Sequence, residues 1–105
     1  MRWFVREGAI PGCGWGNGYV VVPKGHPLYG LDIYEYELPI HGGVTFGSWG
    51  KDMKWDRVNL RDDDWVIGFD TAHGYDKPSH WPKSAVVKET KMLAKLVDQY
   101  QEKDK

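Results

Sequence analysis

Ser84 to Gln101 reads "SAVVKETKMLAKLVDQYQ", and the reading of this stretch decides the fold. Val86, Thr90, Leu93, Val97 and Tyr100 recur at spacings of four, three, four and three residues, which lays them along one stripe of an α-helix. Lys88, Glu89, Lys91, Lys95, Asp98 and Gln99 fall largely on the other faces. The preceding "KPSHWPK" carries two prolines, and Ser84 after it can cap the helix by accepting a hydrogen bond from a free backbone amide. The spacing predicts a helix from about Ser84 to Gln101, with "EKDK" frayed beyond it.

The rest of the chain reads as strands and turns. "RWFVR" (Arg2 to Arg6) suits a strand at a sheet edge, and "YVVVPKG" (Tyr19 to Gly25) is a β-branched run stopped by Pro23. "HPLYG" (His26 to Gly30) reads as a turn. "LDIYEYEL" (Leu31 to Leu38) alternates apolar with acidic residues, an imperfect period of two that predicts a strand with one wet face. A short strand is expected at Val44 to Phe46, and Lys51 to Asp64 reads as a charged loop with a short strand near Val58. Trp65 to Phe69, wholly apolar apart from Gly68, is the central strand. Strands over about residues 2–70 followed by one packed helix predict an α+β domain, a mainly antiparallel sheet with the helix on one face.

The 105 residues suit a single domain, and six Trp and six Tyr supply large rings to a chain only 41 % apolar. Net charge is −1 with no basic block, which argues against a nucleic-acid polymer as partner. No apolar run approaches ~18 residues, which argues against a membrane span. The start, "MRWFVREGAIPG", lacks a signal-peptide core, and Cys13 is the only cysteine, so a cytoplasmic location is expected. Cys13 reads as a passive small residue among glycines.

The glycine stretch "GAIPGCGWGNG" (Gly8 to Gly18) runs into a strand and not into a helix, so it lacks the features of a phosphate loop. It reads as a hairpin loop, with a backbone anion nest and stacking by Trp15 as the functional alternative. In "HGG" (His41 to Gly43) the glycines permit positive φ, and the histidine can point into a cleft or sit in an ordinary polar turn. The strongest signal is "WVIGFDTAHGYD" (Trp65 to Asp76), which sets Asp70, His73 and Asp76 directly after the central strand. Asp70 can hold an imidazole N–H and fix its tautomer, or merely cap the turn at Ala72 or His73. By ligand type His41, Asp70, His73 and Asp76 suit Zn²⁺ or Mn²⁺, but no H-x-x-x-H or H-E-x-x-H spacing is present, so no metal site is expected. The sequence names no cofactor and leaves that question open. His26 reads as a turn residue, and His80 adds a further imidazole.

Together "HPLYG", "HGGVTFG" (His41 to Gly47) and "WVIGFDTAHGYD" resemble a family of short bacteriophage and prophage proteins, over roughly Tyr19 to Val97 and in the same order. The resemblance implies a cytoplasmic protein of an infected bacterium. The family has no settled activity, so it lends no catalytic role to His41 or Asp70. The leading reading is a small binding protein, holding a polar ligand, a nucleotide-derived one among the candidates, between Trp15, His41, Gly42, Gly43, Asp70, His73 and Asp76, in a counter-defence setting and with Trp15 or Trp49 stacking on the ligand. One alternative is a hydrolase using His41 or His73 with Asp70, with or without a metal. Another is an adaptor that grips a host protein through its aromatic residues. Homo-oligomerisation stays open.

Overall fold

The computed structural model describes residues 1–55 and 58–100. It is an α+β fold: a four-stranded antiparallel sheet packed against one C-terminal helix. The strands are β1 (Trp3–Glu7), β2 (Gly16–Val22), β3 (Phe46–Trp49) and β4 (Trp65–Phe69), in the spatial order β1-β2-β4-β3. All five residues of β4 are buried, as its apolar run predicts for a central strand, and β1 lies at an edge. The helix α1 spans Lys83–Gln99 and packs on β1 and β2. Its stripe is the expected one, with Val86, Thr90, Leu93 and Val97 buried and Tyr100 half-buried just past its end. Ser84 is not the cap. Pro82 takes that position without a side-chain hydrogen bond, because its extended backbone (φ −70°, ψ 171°) already directs its carbonyl to the amides of Ala85 and Val86. Gln101 and "EKDK" lie outside the described residues.

Both faces of the sheet are covered. Val20, Val22, Trp65, Ile67 and Phe69 face α1, together with Leu28, Tyr36, Leu38 and Ile40 from the long β2–β3 connection. Tyr19 and Val66 face the other way, under Phe4, Phe46, Met53, Trp55 and Leu60. The guanidinium of Arg6 lies 4.1 Å above the Trp55 ring. Charged as it is, the β3–β4 connection therefore brings its few apolar side chains down as a second lid. No strand forms at Val58–Leu60, and Asp56 and Arg57 lie outside the described residues.

Leu31–Leu38 is not a strand. Asp32 accepts the Tyr34 N–H (2.9 Å) and turns Ile33–Glu35 into a single 3₁₀ turn. From Tyr36 to Ile40 burial does alternate, with Tyr36, Leu38 and Ile40 inside, but no neighbouring strand pairs with this segment. The period of two tracked burial, and burial does not require a ladder. The strand expected at Val44–Phe46 begins two residues later, at Phe46. Gly16 and Gly18, expected in a hairpin loop, belong to β2. His26 turns the chain as expected and also ties it to the helix: Nδ1 accepts the Leu28 N–H (3.0 Å), so Nε2 carries the proton and donates to the Val97 carbonyl (2.6 Å). Among the described residues no helix is long and apolar enough to cross a membrane.

Candidate functional site

β4 ends at Phe69, and the turn that follows packs against the loop after Ile40 and the first turns of α1. Gly42 and Gly43 both take positive φ (70° and 77°), and the Gly43 N–H closes the turn onto the Ile40 carbonyl (2.8 Å). This folds the HGG segment tightly enough to bring His41 against the 70s turn. His41 Nε2 lies 2.8 Å from Asp76 Oδ1, although the two residues are 35 apart in sequence. His73 Nδ1 lies 2.7 Å from the other oxygen, Oδ2, and the His73 backbone N–H donates to that same oxygen (3.0 Å). A single carboxylate thus accepts from two imidazoles. Asp76 is 2 % exposed, while the His41 and His73 side chains remain 19 % and 26 % exposed. An ionised Asp76 only accepts, so the donors are His41 Nε2–H and His73 Nδ1–H, and His41 Nδ1 and His73 Nε2 are left without protons in the neutral rings.

Burial pushes the Asp76 carboxyl up, but hydrogen bonds from the His73 backbone, the His73 ring and the His41 ring, aided by the His41 charge, bring it below its ordinary 3.8. The unfolded chain therefore takes up this proton at a higher pH than the folded chain. Asp76 contributes stability above about pH 4, and the contribution is lost as pH falls from there through the lower folded value. Denaturant melts between pH 5 and pH 2.5 should show a steeper loss for the native sequence than for Asp76→Asn. Equal slopes would remove Asp76 as a source of acid sensitivity.

The carboxylate that orients the imidazoles is Asp76 and not Asp70. Asp70 Oδ1 is 3.8 Å from His73 Nδ1, too far for a hydrogen bond. Its oxygens are taken instead by the Ala72 N–H (3.0 Å) and the Thr45 hydroxyl (2.9 Å), which makes it the turn cap. The glycine stretch reaches this end of the sheet, and two of its amides there are spent. Gly14 donates to the Thr71 carbonyl (2.8 Å) and Trp15 to the Trp81 carbonyl (2.7 Å), so no anion nest forms from them. The Trp15 ring packs against the core with Lys83 Nζ 5.4 Å from its centroid. Trp49 lies at the far end of β3, against Trp65 and Tyr29. Cys13 stands with its thiol 3.9 Å from the His73 carbonyl, outside the trio. His80 is exposed.

Three partners of the site were missed in the sequence. The Trp81 ring lies 4.3 Å from that of His41, and the Tyr75 ring stacks on His73 at 5.2 Å and 4°. Glu89 Oε2 accepts the His41 backbone N–H (2.8 Å). Tyr75 sits inside the motif and Trp81 between prolines, so proximity was readable for the first; for Glu89 the only signal was a carboxylate near the start of the helix. A Cβ on Gly42 would lie 2.6 Å from His73 Cε1. Gly42→Ala should therefore cost about 2 kcal/mol from the left-handed backbone alone and also push His73 away from Asp76. Imidazole ¹⁵N shifts unchanged in that variant would contradict this close packing.

A groove of about 520 Å³ runs beside this cluster along Tyr34, Tyr36, Leu38, Ile40, Gly43 and Val44, and its wall does not include His41, Asp70, His73 or Asp76. The imidazoles are thus a half-open surface cluster next to a groove, not its floor. Comparisons of the chain with protein-family models, with curated proteins and with solved structures find no match.

Proposed function

We propose that the protein binds a small, polar, anionic ligand at the His41–His73 edge, with an aromatic part of the ligand against Tyr75. The observation that carries this reading is the buried carboxylate of Asp76 shared by two half-open imidazoles. Burying a carboxylate is costly unless every lone pair is used. Here the cost is met by groups that leave one nitrogen of each ring turned away from the carboxylate. A structural clamp would be served by one imidazole; two, with an exposed stacked tyrosine (Tyr75, 66 % exposed), make a recognition edge that donates to a phosphate or carboxylate joined to a flat ring when the outer nitrogens carry protons. Tyr36 lines the neighbouring groove, and its buried hydroxyl has no hydrogen-bond partner among the described residues. Burial pushes that phenol up to about 12.

In the phage or prophage setting that the sequence resemblance implies, the ligand is a nucleotide-derived signal of host defence, and binding sequesters it in the bacterial cytoplasm. Calorimetry and thermal shift with cyclic nucleotides and ADP-ribose derivatives test this. A ligand at 100 times its Kd should add about 2.7 kcal/mol of stability, and Tyr75→Ala should weaken binding roughly tenfold through lost stacking. Absence of binding across that set would reject the reading. A second reading follows from the same rings. One imidazole can take a proton while the other gives one, the requirement of phosphodiester hydrolysis. It predicts turnover abolished by either His41→Ala or His73→Ala in a folded protein, and a cyclic nucleotide bound but never cleaved would exclude it.

A further inference from the structure

We propose that His41, His73 and Asp76 form a site for one divalent transition-metal ion, with Zn²⁺ the best match. This rests on the reading that the trio is a site and not a clamp, but it does not depend on any nucleotide. One ligand atom from each residue lies within 4.8 Å of the other two. Two imidazoles and a carboxylate are a donor set that zinc accepts in sites that keep a fourth position open. Both rings stay partly exposed while the carboxylate is buried, so the trio lies at the edge of the protein and not deep in its core. Among the described residues no Lys or Arg lies in ion-pair range of Asp76, so the two imidazoles and the His73 backbone N–H answer its buried charge. A cation placed between them would answer it directly.

Metal binding requires the three groups, whose ligand atoms lie within 4.8 Å of one another, to rearrange locally. The nitrogens His41 Nε2 and His73 Nδ1 now sit 2.8 Å and 2.7 Å from the carboxylate oxygens, at hydrogen-bond separation. Around a tetrahedral Zn²⁺ neighbouring donors stand roughly 3.3 Å apart. The rings must therefore back away by about half an ångström, and each neutral ring moves its proton to its outer nitrogen, His41 Nδ1 or His73 Nε2. No proton is lost in that exchange. The outer N–H groups then point away from the metal as donors. The chain already holds the ligands from behind: Glu89 accepts the His41 backbone N–H (2.8 Å), and the His73 backbone N–H fixes Asp76 (3.0 Å). The open position on the metal would receive the anionic group of the ligand proposed above, so metal and ligand should bind with positive cooperativity.

The test is calorimetric titration of the chelator-treated full chain with ZnCl₂, with the visible spectrum of the Co²⁺-loaded protein as a second readout. The expected result is one equivalent bound, with affinity falling roughly 100-fold or more in His41→Ala and in His73→Ala, and unchanged in His80→Ala. His73→Gln, which keeps a hydrogen-bond donor for Asp76, guards against loss by unfolding, and circular dichroism checks each variant. A silent titration of the native chain, or affinity indifferent to both site histidines, overturns the metal site. Nucleotide binding that persists in chelator would then leave the function standing alone. Metal bound with no nucleotide taken up would leave the metal site and reject the proposed ligand.

Discussion

Asp76→Ala should be among the most damaging single changes in the protein. Three donors converge on this carboxylate: the rings of His41 and His73 and the His73 backbone N–H. Truncation leaves all three facing a cavity that water reaches poorly, since Asp76 is 2 % exposed. Each unsatisfied buried donor costs on the order of 1–3 kcal/mol, partly recovered as the half-open rings turn to solvent, so a net loss of about 3 kcal/mol is expected. For a domain of this size that lowers Tm by roughly 12–24 °C. The link between the HGG turn and the 70s turn goes with it, so ligand and metal binding should vanish even below the new Tm. Asp76→Asn, which keeps one acceptor, should lose less stability but the same binding. Urea melts reporting under 1 kcal/mol for Asp76→Ala would mean that the rings do not depend on the carboxylate, and the site would lose its foundation.

The sequence showed where this site is more clearly than how it is wired. The central strand and the helix stripe were legible because both rest on periodicity, and periodicity is set by which side chains must leave water. A short polar turn after a buried strand was equally legible, and so was the pairing of His41 with that turn. The choice between Asp70 and Asp76 was not. Both are aspartates in one seven-residue stretch, and only the turn's path decides which faces the imidazoles: Asp70 caps the turn through the Ala72 N–H, while Asp76 returns beneath it. Local hydrogen bonds of this kind compete on equal terms in sequence. Leu31–Leu38 failed for a different reason. Its alternation reported burial faithfully from Tyr36 onward, but whether an extended segment finds a ladder partner depends on distant chain. Trp81 and Glu89 were invisible because they meet His41 only once α1 has docked.

That docking runs through Gly18, and Gly18→Ala is the second large expected effect. A Cβ there would overlap Thr90 Oγ1 and lie 2.5 Å from Phe69 Cε1, so strand β2 and helix α1 touch at this point only because the side chain is absent. Thr90 and Phe69 are themselves fully buried, and the Thr90 hydroxyl is tied to the Val86 carbonyl (2.7 Å), so neither can swing aside. The helix must lift or the strand must bow. Overpacking of this kind costs typically 1–3 kcal/mol, and with two rigid neighbours the upper end, about 3 kcal/mol, is expected. Lifting the first turns of α1 also moves Glu89 away from the His41 backbone, so imidazole shifts at His41 should change although Gly18 touches no part of the site. Thr90→Ala should recover part of the loss in the double variant, because the hydroxyl is one of the two obstacles. Additive losses, with no recovery, would mean that the helix does not seat on this glycine, and the route from the sheet to the imidazoles would have to run elsewhere.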